Sequence, residues 1–306
     1  MVVKSKKQIV TLNSKKISVS NLNKIWFARS KITKGAILEY YYHVSDHIMS
    51  HVKNHILVMQ RYPEGIGGES FYQKNASNYF PSWIKKIPIE KENGETVNYV
   101  VCTHPATVLY LVNQGALVLH AWLSRYDKLE YPDRMIFDLD PSIDDFPSVR
   151  KAALLLKTIF DDLKIPSFAM TTGSRGIHVL VPLKRVHTFD QIAEFSFSIA
   201  QRMIQESPRQ FTVEIRKNKR DGKIFIDTLR NRYSATSVIP YSVRAYEKAP
   251  VAAPLWWDEV AKSSLTSQKF TIKTIVARLK SDGDPWDSMH KNAISLKKIK
   301  LQEIKK

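Results

Sequence analysis

Met135-Ile-Phe-Asp-Leu-Asp-Pro141 reads as a strand whose side chains alternate between two environments. With a period of two, Phe137 and Leu139 face one side and Asp138 and Asp140 the other. Pro141 then ends the strand. Alternate strand residues lie about 6.5 Å apart along the backbone, a spacing from which two carboxylates converge on metal ions about 3.5–4 Å apart. Neighbouring like charges repel, so a cation is expected between them. A bare Asp-x-Asp is equally well a solvated strand end. A second apolar strand, Lys223-Ile-Phe-Ile-Asp-Thr-Leu229, also ends in a carboxylate, Asp227, whose plainer reading is a cap on the following turn. Three acids from neighbouring strands would bind two Mg²⁺ or Mn²⁺ ions through oxygen and leave coordination sites for substrate phosphates.

Working outward, further strands are expected at Arg134–Asp140, Ser167–Thr171, Ile177–Val181, Phe211–Ile215 and Ile224–Leu229. Another, Ile56–Arg61, precedes the turn Pro63-Glu64-Gly65. Helical periodicity covers Gly35 to about Asn54, residues 106–113, Ser148–Leu163 and Phe189 to about Gln205. In the third of these, Leu155, Leu156, Ile159, Phe160 and Leu163 form one stripe. Lys85–Asn98 reads as polar and turn-rich, and Lys291–Lys306 as a lysine-rich tail. The pattern predicts a mixed α/β (α+β) core in one domain over 1–306. Within it, an N-terminal layer reaches about residue 100, a catalytic core runs over about 101–260, and a helix and basic tail close the chain.

Hydrophobic residues at 43% and charged residues at 25% of 306 fit a globular chain, and no apolar run approaches the length of a membrane span. The start, MVVKSKKQIVTLNSKK, lacks the apolar segment and cleavage site of a secretory signal, so a cytoplasmic location is expected. The single cysteine, Cys102, excludes an intrachain disulfide and a cysteine-based zinc site, and reads as packing. Charge is more informative. Lys and Arg number 47 against 29 Asp and Glu, a net +18, which favours a polyanionic partner. Without a long basic amphipathic helix, nucleic acid is preferred to a membrane surface.

Between two expected strands lies Thr171-Thr-Gly-Ser-Arg-Gly-Ile-His178. Its glycines allow backbone N–H groups to approach an anion, and Thr172, Ser174, Arg175 and His178 add donors that suit a triphosphate. The loop matches neither a Walker motif nor a dinucleotide fingerprint; a glycine-containing β-turn is the bland alternative. Downstream, Arg230, Arg232 and Arg244 offer guanidinium forks for phosphates, or simply solvated surface.

FDLDP, TTGSRGIH and IDTLRNRYSATSVIPYSVRA together resemble the polymerase domain of the bacterial ATP-dependent ligase that serves non-homologous end joining, within the archaeo-eukaryotic primase superfamily. The resemblance runs from NLNKIWFARSKITKGAILEYY to FTIKTIVARLKSDGDPW. It implies metal binding by Asp138, Asp140 and Asp227, and triphosphate contacts from His120, Ser174, Arg175, His178 and Arg244. Thr172 stands where the family usually has serine. The resemblance further implies a pocket for a downstream 5′-phosphate at Lys24 and Lys34, assisted by Asn21, Asn23 and Lys53. Phe71-Tyr72 matches an aromatic pair that supports template bases, with tyrosine in place of the usual second phenylalanine. Gap filling on DNA with ribo- or deoxynucleotides, use of Mn²⁺, and partnership with Ku and a separate ligase are implied in turn. The chain resembles a stand-alone polymerase, with a primase role as its nearest neighbour.

Two rivals from other classes are a non-catalytic DNA end-binding factor and a glycosyltransferase, where Asp-x-Asp also holds a metal-bound nucleotide. Lys219-Arg-Asp-Gly222 imitates a ligase nucleophile motif but runs directly into the Asp227 strand, and is set aside. His43, His47, His51 and His55 recur every four residues, yet no acid or cysteine completes a metal site. Trp256-Trp257, beside Pro254 and Leu255, read as packing at a core edge.

Overall fold

In the computed structural model, which describes residues 8–299, the alternation read around Asp138 is realised as a strand with its apolar side buried. From the N-terminus the elements are β1 (Gln8–Leu12), β2 (Lys15–Val19), β3 (Ile25–Phe27), β4 (Ile32–Thr33), α1 (Lys34–Val52), β5 (His55–Arg61), β6 (Phe71–Gln73), β7 (Lys86–Glu90), β8 (Thr96–Val101), α2 (Pro105–Asn113) and β9 (Ala116–Arg125). They continue as β10 (Arg134–Pro141), α3 (Phe146–Asp162), β11 (Phe168–Thr171), β12 (Ile177–Pro182), α4 (Phe189–Glu206), β13 (Phe211–Thr212), β14 (Ile224–Asp227), β15 (Thr236–Val238), β16 (Ala253–Leu255), α5 (Trp257–Ala261) and α6 (Ile275–Asp282). The architecture is mixed α/β, as expected, and its sheets are largely antiparallel.

The chain divides into two interleaved units. Among the described residues, one comprises 8–122, 238–251 and 270–282; the other 123–237, 252–269 and 283–299. The division therefore does not follow the sequential layers expected at about 100 and 260, because short downstream segments return to complete each unit. The last seven residues of the lysine-rich tail lie outside the described residues.

In the first unit a sheet of order β15-β9-β5-β8-β7, with β6 added on β5, carries most of the core. The stretch expected to be turn-rich instead forms the β7–β8 hairpin, Lys86 opposite Val100 through Glu90 opposite Thr96. Its alternating charged and apolar residues suit a strand with one wet face. Helix α1 starts on Thr33, whose side chain accepts the Ala36 N–H, a standard N-cap. Two buried tyrosines on α1 fasten the returning segment: Tyr40 donates to the Tyr241 carbonyl, while the Tyr41 hydroxyl donates to the Leu117 carbonyl and accepts the Val243 N–H. Of the four regularly spaced histidines, His43, His47 and His51 lie on α1 and His55 opens β5. His47 and His51 lie 6.0 and 6.1 Å from the Tyr241 ring, and His55 Nδ1 is 2.8 Å from the Trp122 carbonyl. Cys102 is buried against Met49, and burial pushes its thiol up to about 12.

The second unit is built on the sheet β13-β14-β10-β12-β11-β16, antiparallel except for the parallel β13–β14 pair. Helices α3 and α4 pack on β10. Phe137 meets Phe160 of α3 edge-on at 5.4 Å, and both are fully buried. Each such ring contributes roughly 1.5–3 kcal/mol by burial, which holds the register that places the aspartates on the opposite face. Of the tryptophan pair, Trp257 packs and donates to the Ser167 carbonyl at 2.9 Å, whereas Trp256 is exposed at the start of α5. Packing therefore holds for one of the two.

Candidate active site

The register of β10 assembles the site. Asp138 lies directly opposite His178 on β12 and opposite Asp227 on β14. Cross-strand partners point to the same face with Cβ atoms about 4.5–5.5 Å apart, so His178, Asp138 and Asp227 form a row across three strands. Asp140, two residues along, shares that face. Behind β10 the chain after β14 is tied in by Asn231, which is fully buried. Its Oδ1 accepts the Ile136 N–H at 2.8 Å, and its Nδ2 donates to the Ile136 and Thr228 carbonyls at 2.7 and 3.1 Å. A side chain thus replaces a strand partner where β14 has ended, and it fixes the 3-10 turn Leu229–Asn231 that carries Arg230.

Arginines neutralise the acids. Arg230 reaches Asp138 at 3.5 Å and Asp227 at 3.4 Å; Arg175 reaches Asp140 at 3.3 Å, and Arg220 reaches it at 3.6 Å. His178 Nε2 lies 3.4 Å from Asp138. These separations are charge contacts, longer than good charge-assisted hydrogen bonds. Burial raises the Asp140 carboxyl above its ordinary value against the pull of Arg175, and Asp138 adds to the rise. Asp227 is raised likewise, by burial first, opposed by Arg230 and reinforced by Asp138. Hard oxygen donors on one face, mutually repelling and partly desolvated, are a donor set that fits Mg²⁺ or Mn²⁺. As the side chains stand, with each acid turned to an arginine, no group of three or more His, Cys, Asp or Glu among the described residues is drawn together to hold a metal ion.

The loop between β11 and β12 packs against this row through Gly176, where an added Cβ would stand 2.4 Å from the Leu139 carbonyl. Only glycine admits that approach. Thr172 is engaged inside the loop: its hydroxyl accepts the Gly176 and Ser174 N–H groups at 3.2 and 3.3 Å and lies 3.1 Å from the Gly176 carbonyl. Thr172 thereby shapes the turn that presents Ser174 and Arg175. His178 is 3% exposed.

The model for the LigD primase-polymerase domain matches residues 33–286. The chain belongs to this family. It is 35% identical over 279 residues to the bifunctional non-homologous end joining protein LigD of Bacillus subtilis (strain 168), an alignment covering 90% of this chain and 44% of that protein. Against the multifunctional non-homologous end joining protein LigD of Pseudomonas aeruginosa it is 31% identical over 257 residues, 83% of this chain and 30% of the relative. The chain thus spans less than half the length of these relatives. The polymerase domain from Mycobacterium tuberculosis Ligase D, in complex with DNA, shares the fold with a TM-score of 0.85 at 24% identity, over 90% of this chain and 99% of that one.

Of the candidate site residues, the three aspartates, Thr172, Ser174, Arg175, His178 and Arg230 lie in the second unit. His120, Arg244, Lys24, Lys34, Lys53, Phe71 and Tyr72 lie in the first. There His120 and Tyr72 have ring centroids 5.8 Å apart, and Phe71 and Tyr72 are both exposed on β6. Lys34, only 5% exposed, donates from Nζ to the Ser20 carbonyl at 2.9 Å; burial first, and the Lys24 charge second, lower its pKa to about 8. Lys24 is paired with Glu64 at 2.7 Å. That contact is templated: Ile66 N–H donates to the Trp26 carbonyl at 2.8 Å, and Gly65, at φ +85°, comes too close to Trp26 for any Cβ. Asn21 (φ 58°) accepts the Lys24 N–H through its carbonyl, turning the chain that carries Asn23. Lys53 is the C-cap of α1 whereas Lys34 is its first residue. About 28 Å of helix separates them, so Lys53 is not part of the Lys24–Lys34 cluster.

Sequence reasoning missed Arg220, set aside with its ligase-like tetrapeptide. It is buried, stacks 3.9 Å over the Phe225 ring, donates to the Glu214 and Ile215 carbonyls, and aims at Asp140. The available signal was its position four residues before an apolar strand ending in an acid. Among the described residues, no helix is long and apolar enough to cross a membrane.

Proposed function

We propose that this chain is a template-directed nucleotidyltransferase that adds ribo- or deoxynucleotides to DNA 3′ ends and fills short gaps at double-strand breaks. The observation that carries the reading is the register placing Asp138 opposite Asp227, with Asp140 on the same face and the Thr172–His178 loop packed against it. In the reaction the primer 3′-hydroxyl gives its proton to solvent, its oxygen bonds to the α-phosphorus, the bond from that phosphorus to the β-bridging oxygen breaks, and pyrophosphate leaves. Asp138, Asp140 and Asp227 would hold two divalent ions, Mn²⁺ or Mg²⁺, which when bound supply Lewis-acid stabilisation of the attacking and leaving oxygens. Arg175 and Arg230 exchange their carboxylate partners for the triphosphate, a trade that guanidinium forks suit because phosphate oxygens offer the same bidentate geometry. The Ser174 hydroxyl and His178 orient the phosphates from the loop and from β12.

Lys24 and Lys34 receive a downstream 5′-phosphate, and Phe71 and Tyr72 support template bases by stacking. The expectation for His120 and Arg244 rests on the resemblance alone and is tested by their alanine variants. The relatives are non-homologous end joining proteins, which supports the same repair role here; a cytoplasmic location and partnership with Ku and a separate ligase rest on the resemblance. Primer extension on a gapped duplex with Mn²⁺ tests the reading. Extension should be stimulated by the 5′-phosphate and fall by about a thousandfold or more in folded Asp138→Ala. Extension by that variant at the wild-type rate would leave the proposal without its chemistry, and tight DNA binding without turnover would favour an end-binding factor.

A further inference from the structure

Tyr79 is 61% exposed. An exposed tyrosine is ordinary in itself; its mounting is not. The ring stands edge-on to Phe80 (5.3 Å, 72°), which is 3% exposed; Phe80 is edge-on to Tyr110 of α2 (5.2 Å, 79°), and Tyr110 to Trp83 (6.0 Å, 80°). Trp83 in turn meets His104, the N-cap of α2 (6.5 Å, 68°). Such edge-to-face pairs are individually favourable, and together they root an outward-facing ring on a buried helix. The exposed ring is therefore carried on a buried neighbour that is itself packed on α2.

The same ring is tied to the frame of the Phe71–Tyr72 pair. Arg61 lies 5.4 Å from the Phe71 ring centre and donates to Gln73 Oε1 at 2.8 Å; Gln73 Nε2 donates to Ser77 Oγ at 3.0 Å. Ser77 opens the turn that delivers Tyr79, since the Phe80 N–H donates to its carbonyl at 3.0 Å. Tyr110, whose hydroxyl burial pushes up to about 12, feels both the Tyr79 phenol and the Arg61 charge. Cations flank the turn: Lys74 is exposed beside it, and Lys86 Nζ reaches the Phe80 carbonyl at 3.5 Å. Exposed rings interleaved with lysines are what a single strand of nucleic acid needs, bases stacking on the rings and phosphates meeting the ammonium groups.

We propose that Tyr79 is a further stacking site for an unpaired nucleobase, extending the Phe71–Tyr72 platform so that the first unit holds several nucleotides of single-stranded overhang. The inference rests on the reading of Phe71 and Tyr72 as a base platform. It assigns Tyr79 a role in gripping overhangs that a blunt end cannot use.

The test is binding of duplexes with 3′ overhangs of increasing length, with 2-aminopurine placed at successive overhang positions, to the full chain and to Tyr79→Ala, Tyr79→Phe and Phe71→Ala. Tyr79→Ala should bind long overhangs about fivefold or more weakly, bind blunt duplex as wild type, and lose fluorescence quenching at one position only. Tyr79→Phe should keep both affinity and quenching. Because Tyr79 is exposed, unchanged thermal melting of Tyr79→Ala is expected. If Phe71→Ala weakens binding while Tyr79→Ala leaves affinity and quenching unchanged, the platform stands and the Tyr79 site is refuted. If neither variant changes overhang binding, both readings fall. Loss in Tyr79→Phe equal to that in Tyr79→Ala would make the hydroxyl, not stacking, responsible, and would overturn the proposal.

Discussion

Lys34 makes the proposed 5′-phosphate contact pH-dependent in a window where few lysines titrate. In the free protein its pKa is lowered to about 8, mainly by burial and secondly by Lys24. A phosphate monoester is already close to a dianion above pH ~7, so between pH 7 and 9 only the lysine changes. If capture needs the ammonium form, the apparent Kd scales as one plus the ratio of neutral to charged Lys34. That ratio is about 0.1 at pH 7 and about 10 at pH 9, so affinity for a phosphorylated end should fall about tenfold, or roughly 1.4 kcal/mol. Lys34→Arg keeps its charge throughout and should flatten the profile, while a 5′-hydroxyl end should show little slope with either protein. Fluorescence anisotropy on gapped duplexes at constant ionic strength measures all of this. A flat wild-type profile, or the same slope in Lys34→Arg, would refute the reasoning. Folding carries the opposite sign. Between about 8 and the unfolded value of 10.5 the unfolded chain holds a proton at Lys34 that the folded chain has released, so this group makes stability rise with pH across that window.

Other expectations are simpler to score. Asn231→Ala should lower unfolding free energy by roughly 2–3 kcal/mol in urea titrations, because buried Ile136 backbone groups lose their partners. Gly176→Ala should abolish extension and lower stability by about 2 kcal/mol or more, since its Cβ would collide with the Leu139 carbonyl; a variant as active as wild type would contradict the close packing of loop and strand. Glu64→Gln should raise affinity for a 5′-phosphorylated end about two- to fivefold by freeing Lys24, a modest effect because the pair is solvent-exposed, and should leave 5′-hydroxyl ends unaffected.

The strands bearing the aspartates were legible because Asp138 and Asp140 alternate with apolar residues before Pro141, and Asp227 ends an apolar run before a turn. Asp138 and Asp227 could be nominated this way, but their pairing could not, since register depends on which strands become neighbours. Strand β9 escaped notice because both its faces are buried and ALVLHAWLSR shows no alternation. The β7–β8 hairpin escaped for the opposite reason, its charged outer face resembling a loop. Segment Phe211–Ile215 was read as a longer strand than the two residues that pair, Ile215 pointing to solvent instead. Arg220 was missed, and the internal bonds of Thr172 were not legible, because their partners are distant in space or hidden in the loop: the place of Arg220 shows only with Phe225 beneath it, and that of the Thr172 hydroxyl only with the Gly176 backbone beside it.

The interleaving of the two units bears on how the chain acquires its structure during synthesis. After Trp122 has left the ribosome, the first unit still lacks 238–251, which bring the Tyr241 carbonyl and Val243 N–H to Tyr40 and Tyr41. About 115 further residues must be made before that segment begins, some 6–23 s at ordinary elongation rates of roughly 5–20 residues per second. For that interval the two tyrosines lack these partners, and neither unit can be cut free as a continuous fragment.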